Sequence, residues 1–263
     1  MPTTESNDRI AEVVQLPVRP GAAMRLLWML DDTQASASDL GRLIESDPAL
    51  STQVLGLANT PFYGLAGRVT GAWRAVTVLG LATLRAIATA AAFDLFSEHG
   101  RPLPADFWPH SVTAAAGASA LARRVGALPN DAFSLGLLHD LGTALVCRRA
   151  PQEFDRLVES GELEATHAHI AGSALSVMRF PADMVEAIAE HHAAPGVVPS
   201  AWAGLLIAAD AIALTIDDRP HETNASLDAA LDAVGVPASA ADALVDEVRA
   251  AREQLAGFPK ERC

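Results

Sequence analysis

The spacing of the histidines constrains this chain more than any other feature. Six of the eight, at 110, 139, 167, 169, 191 and 192, fall on segments that read as helices. From His110 the chain runs 29 residues to His139-Asp140, 27 from Asp140 to His167, 24 from His167 to His191-His192, and 18 from His192 to Asp210. Each interval is about one helix out and one back, so a helical bundle can aim the whole set at one point. Composition agrees: half of the residues are hydrophobic but only 5% are aromatic, and Ala dominates, which favours closely packed helices over sheets. The expected fold class is all-α, a two-lobed multi-helix bundle.

Punctuation by Gly, Pro and capping residues divides the chain further. Residues 1–15 are polar and expected to be flexible, with order beginning near Leu16-Pro17. A helix over Ala22–Leu30 ends at Asp31-Asp32. Ser36 or Ser38 caps a second that runs to Ser46, and Asp47-Pro48 is a cap followed by a first-turn proline for a third. Residues 60–71 read as a loop, and Gly80 splits the apolar segments Trp73–Leu79 and Leu81–Phe96. The stretch 98–106 marks a boundary between an N-terminal lobe, 16–97, and a histidine-bearing lobe, 104–215, with residues 216–263 forming C-terminal helices and a tail. Helices are expected at about 106–126, 131–149, 151–160, 164–178, 182–192, 200–216, 224–234 and 238–256. The helix 81–96 should be buried between the lobes, with Trp28, Leu55, Phe93 and Leu137 also buried, and the tail after Gly257 should be expendable.

Charge and cysteine content narrow the function. Thirty-two acids against 19 bases leave a net charge of −13, a poor match to a phosphate backbone, so DNA is not an expected partner. The only lysine, Lys260, is too near the C-terminus for a Walker A loop or a Schiff base. Cys147 and Cys263 form no CxxC motif, which fits a reducing cytoplasm. No basic-then-apolar leader opens the chain and no run of 18 apolar residues follows, so neither secretion nor membrane insertion is expected. The acidic C-terminal helices, with Asp228, Asp232, Asp242, Asp246 and Glu247, read as a solvated face and leave a homodimer open.

Imidazole nitrogens with carboxylate oxygens and no thiolate suit a divalent metal such as iron, manganese, zinc or nickel. On one continuous helix, His139 and Asp140 would point about 100° apart, letting the carboxylate bridge two ions while the imidazole holds one. His169, two residues after His167, should face away, and His99 and His221 lie in polar loops. Asn59, Phe62 and Tyr63 could line a groove, but a Pro-Phe-Tyr-Gly turn more often fills an apolar core.

His110, His139-Asp140 and Asp210 resemble the H…HD…D signature of the HD superfamily of metal-dependent phosphohydrolases. His167 and the His191-His192 pair are similar to the bimetallic HD-GYP subgroup, and that resemblance adds Asp106, four residues before His110, to the implied ligand set. Where those enzymes read HDxGK, this chain has Thr143 in place of the lysine, and the GYP loop is absent. A closer resemblance is to the HDOD family, carried over roughly 16–215 by Leu16-Pro17, by the run from Leu43 to Leu50, by Val54–Asn59, by Phe62-Tyr63-Gly64 and by Ala75–Arg85. It implies a bacterial signal-transduction output module with a protein partner or a small-molecule or nucleotide signal, a metal-binding HD site and little or no catalysis. The alternative is a phosphohydrolase acting on a phosphodiester or cyclic nucleotide, with Asp140 catalytic.

Overall fold

The computed structural model describes residues 21–97, 99–192, 199–219 and 226–260. The expectations for residues 1–20 and for His221 lie outside them.

Local signals set the first helices. In α1 (Ala22–Leu30) the buried residues Ala22, Leu26 and Leu27 occupy one arc. Trp28 falls on the opposite side of that arc at 100° per residue and is 59% exposed, so the expectation that it is buried is corrected. The N-terminus of α2 (Ala37–Glu45) carries a reciprocal capping box between Ser36 and Asp39. The Asp47 carboxylate accepts from the backbone N–H groups of Ala49 and Leu50 to start α3 (Pro48–Ala58). Leu55 on α3 is half-buried rather than fully so.

The longest helix, α4 (Ala72–Ala92), continues through a kink at Gly80, whose φ of 75° is open to glycine at little cost. By length and composition alone it could cross a membrane, but 61% of its most apolar window is buried within the protein. Helices α1, α2 and α3 pack on it from one side and α6 (Pro129–Leu138) from another. The 3-10 turn Pro61–Tyr63 inserts its rings beside Phe133, with centroids 5.6 Å away for Phe62 and 6.4 Å for Tyr63. Asn59 binds Val69 through both its amide oxygen and nitrogen, closing the loop that follows. All three residues thus do the work of core and loop.

Helix α5 (Phe107–Val125) is the axis of the remainder and packs on α6, α11 (Ala201–Ile216) and α13 (Ala241–Gln254). Around it, α7 (Leu141–Arg149), α8 (Pro151–Ser160), α9 (Leu163–Val177) and α10 (Ala182–Glu190) return the chain to α11, and α12 (Leu227–Ala233) leads into α13. No strand occurs among the described residues. Phe93 and Leu137 are buried, each such side chain contributing about 1.5–3 kcal/mol.

Two expectations are corrected here. The single helix over 131–149 is two, α6 and α7, and the chain turns between them at His139-Asp140. Residues 258–260 are integrated: Phe258 is buried, and the Gln53 side chain donates to Lys260 O at 2.7 Å and accepts from Lys260 N at 2.9 Å.

Candidate metal centre

Small residues at helix crossings make the centre possible. A methyl group on Gly136 would lie 2.6–2.7 Å from the backbone of Ala114 and Ala115, so only a glycine lets α6 press on α5 and carry His139 to His110. At Gly142 the approach is tighter. A methyl there would sit 2.0 Å from the carbonyl oxygen of His167, and its absence brings the start of α7, with Asp140, against α9.

The break between α6 and α7 places Asp140 at the N-terminal cap of α7 rather than inside a helix. Its Oδ1 lies 3.1 Å from His167 Nε2, while Oδ2 lies 3.4 Å from His139 Nε2 and 3.8 Å from His110 Nε2. Asp210 on α11 reaches the same two imidazoles, with Oδ1 3.0 Å from His110 Nε2 and 3.8 Å from His139 Nε2. On the other side, His191 Nε2 is 3.2 Å from His167 Nε2 and the His192 ring centroid is 4.9 Å from that of His167. Two groups, His110-His139-Asp140 and His167-His191-His192, each have ligand atoms within 4.8 Å of one another and could hold a metal ion.

The nitrogens facing away from the centre determine what those facing it offer. His139 Nδ1 is 2.8 Å from Gly136 O, His167 Nδ1 3.1 Å from Leu163 O, and His191 Nδ1 2.6 Å from Ile188 O. A carbonyl only accepts, so each Nδ1 is a donor and each Nε2 is the nitrogen turned inward, where it can serve as a ligand. His110 Nδ1 is instead 2.9 Å from the carboxylate of Asp217.

Lone pairs 3.2–3.3 Å apart, as between His167 and His191 and between His110 and His139, repel unless a proton or a cation lies among them. Burial disfavours a charged His110, but hydrogen bonds to Asp210 and Asp217 and the charge of Asp140 overcome it and push its pKa up to about 10. Burial likewise opposes charge on His167, and its hydrogen bond to Asp140 raises its pKa nonetheless. Burial, reinforced by the neighbouring imidazoles, drives His191 well below the usual histidine range and His192 down to about 4. Asp140 stays ionised despite burial, because His139 and His167 hold its pKa well below the carboxylate norm. A mixed imidazole and carboxylate set with inward lone pairs is the donor chemistry of a borderline divalent cation.

Asp106 stands apart from these contacts. It is exposed at the start of α5, with Oδ2 3.4 Å from Arg219 Nη1. Both line a cavity of about 140 Å³ together with His110, Asp140, Thr143, Glu164, His192 and Asp210. His169 and His99 are exposed.

Three participants escaped the sequence reading. Asp217 directly follows α11 as its C-terminal cap, and only that position aims it at His110. Glu164, three residues before His167, contacts His192 Nε2 at 3.3 Å, a spacing that could have been noticed. Arg219 is the arginine of this cavity. Arg123 and Arg124 pair with Glu247, and Arg149 lies over Phe93.

Comparison with known proteins agrees with the all-helical fold. The sequence matches the HDOD domain over residues 16–194. A candidate phosphohydrolase from Shewanella amazonensis is similar at 25% identity, with 97% of this chain and 99% of that one covered and a TM-score of 0.71. An HDOD domain protein of unknown function from Geobacter sulfurreducens shares 24% identity over 96% of this chain and 97% of that one, with a TM-score of 0.70. Ribonuclease Y of Opitutus terrae is 36% identical over 107 residues, 40% of this chain. The chain spans only 39% and 17% of the lengths of the two curated relatives it matches. With the helical architecture and the histidine and aspartate centre both in place, the match over residues 16–194 makes this chain a member of the HDOD domain family.

Proposed function

We propose that the chain is a bacterial signal-transduction module whose HD-type centre binds divalent metal, as one or two ions bridged by Asp140, and turns over little or no substrate. His110, His139 and Asp210 serve one ion and His167, His191 and His192 the other, with Asp106 acting from outside through Arg219. The observation that carries this reading is the inward convergence of imidazole Nε2 atoms around Asp140, with every Nδ1 of His110, His139, His167 and His191 engaged by an oxygen behind it.

Bound metal would supply a water of lowered pKa and positive charge beside a phosphate. The chain's own residues do little to complete a hydrolase. Thr143 offers a hydroxyl where related enzymes offer an ammonium, and loss of a charged transition-state contact costs on the order of 3 kcal/mol, about a hundredfold in rate. Arg219 is the cation at this cavity and is already drawn to Asp106. A volume of about 140 Å³ is well below that of sites for larger organic ligands, roughly 300–1,000 Å³. A partner protein or a small signal molecule in the cytoplasm is the counterpart this reading requires.

Metal analysis of the purified protein should find bound divalent ion. The protein loaded in turn with iron, manganese, zinc or nickel should then leave bis-p-nitrophenyl phosphate and cyclic-di-GMP intact. Several turnovers per minute, lost in Asp140→Ala, would put the hydrolase reading first.

A further inference from the structure

A second cavity of about 900 Å³ lies on the other face of the α5 N-terminus. Phe107 and His110 look into the histidine cavity, whereas Trp108, Pro109 and Val112 line this one. The segment 252–260 forms the opposite wall, and the bidentate hold of Gln53 on Lys260 keeps it there. Phe96 stacks on Trp108 at 5.1 Å and 16°, and Phe258 meets Phe96 edge-on at 6.5 Å, so the floor is aromatic.

The charges around this floor are unusual for a chain of net −13. Among the described residues, Arg148, Arg252 and Lys260 line the groove against one acid, Glu253. Among the described residues Arg148 donates to the carbonyls of Asp94, Ser97 and His99 and to the Ser97 hydroxyl, and its Nε is buried without a hydrogen-bond partner there. Neither Arg148 nor Lys260 has a carboxylate at ion-pair distance among the described residues. Arg252 has one: its Nη1 is 2.8 Å from Asp217 Oδ1, and Asp217 Oδ2 is the oxygen 2.9 Å from His110 Nδ1.

We infer that this groove binds a small organic anion with an apolar body, and that its occupancy is transmitted to the histidine centre through Arg252, Asp217 and His110. The volume falls within the range of small-molecule sites, roughly 300–1,000 Å³, and an apolar floor with few convergent polar groups is their usual construction. The floor accepts a ring or a chain, and the unpaired cations select negative charge. An anion that draws Arg252 toward itself loosens Asp217, which then holds the His110 imidazole less firmly. Because coupling between sites is reciprocal, metal and anion weaken each other by the same factor. Anion binding stands independently of the metal reading, whereas the transmission rests on it.

Titration with 1-anilinonaphthalene-8-sulfonate in the presence of EDTA tests the site alone. The 263-residue chain should bind one equivalent, and both Lys260→Glu and Ala256→Trp should weaken binding at least tenfold while the melting temperature stays within about two degrees of the parent. Dodecanoate and guanosine monophosphate then compete for the probe: displacement by the first assigns an aliphatic carboxylate, by the second a nucleotide. Binding that neither variant weakens, or that neither competitor reverses, overturns the site. Manganese titration with and without saturating competitor tests the transmission. Metal affinity should fall about tenfold in the parent, and Arg252→Gln should remove that difference. An unchanged affinity in the parent overturns the coupling while leaving the anion site standing. No manganese binding at all overturns the metal reading and the transmission together, and the fluorescence titration still decides the groove.

Discussion

On one side of Asp140 stand His110 and His139 with the carboxylate of Asp210; on the other stand three imidazoles, His167, His191 and His192, with Glu164 at their edge. The donor atoms are similar, but what lies behind them is not. His110 lies between Asp210 on its inward nitrogen and Asp217, itself tied to Arg252, on its outward one, and these carboxylates with Asp140 push its pKa up to about 10 despite burial. His191 is backed by a main-chain carbonyl and hemmed in by other imidazoles, and is neutral across the physiological range. Two sites built from one residue type therefore differ in charge before any ion arrives. Carboxylates on both nitrogens of His110, against imidazole neighbours around His191, make the difference.

Asp140→Ala removes the one group that both sides share and should have the largest effect. It leaves the charge on His110 and His167 short of its partner, a loss of the order of 3–5 kcal/mol for a broken buried pair. Metal content should fall to background and the melting temperature should no longer respond to chelator. Metal retained at the parental level would show that the two sides do not depend on their common carboxylate.

Gly142→Ala should separate the sides. The added methyl meets the His167 carbonyl and forces α7 and α9 apart, at a cost of about 1–3 kcal/mol in denaturant unfolding. The imidazole-rich side should lose its metal, and the His110 side, which α5, α6 and α11 hold, should keep it. Loss from both at once would make the centre a single unit.

Asp217→Asn acts on the opposite side. It keeps the shape behind His110 but removes the charge, and loss of such a supporting carboxylate typically weakens metal affinity by about 10–100-fold. Competition titration should find this weakening in one class of site only.

Proton release is the finest probe. Metal at His110 displaces a proton held to about pH 10, so calorimetry at pH 7.5 in buffers of different ionisation enthalpy should register at least one proton released. His192, already neutral above about pH 4, and His191, which burial and the neighbouring imidazoles hold well below the usual histidine range, should add none. In the absence of metal the sign reverses into a stability effect. The raised pKa of His110 contributes stability that is complete below its unfolded value near 6.5 and is lost as pH rises through about 10. Chelated protein should therefore grow less stable across that window, and His110→Gln should flatten the slope.

Much of this was legible in the residues themselves. Helix-length gaps between histidines, Ser36 and Asp47 as caps, and Gly80 as an interruption all act within a few residues of their own position, where backbone sterics and local hydrogen bonds decide. Metal-ligand character was equally readable, because imidazole and carboxylate chemistry does not depend on context. The break at His139-Asp140 was not, since the run 131–149 has no proline or glycine at the junction itself; it follows from packing α7 against α9 at Gly142. Trp28 and the segment after Gly257 were misjudged for the same reason, as neither residue type nor position tells which face a neighbour covers.

Taken alone, the sequence determined that this chain would be helical, where most of its helices would begin and end, and which side chains could ligate a metal, because propensity, capping and donor chemistry are local properties. Only the tertiary structure decided that the chain turns at His139-Asp140, that Asp217 and Arg252 stand behind His110, and that Lys260 closes a groove against α5. Those contacts join residues far apart in the chain, and their distances are set by how closely the helices between them can pack.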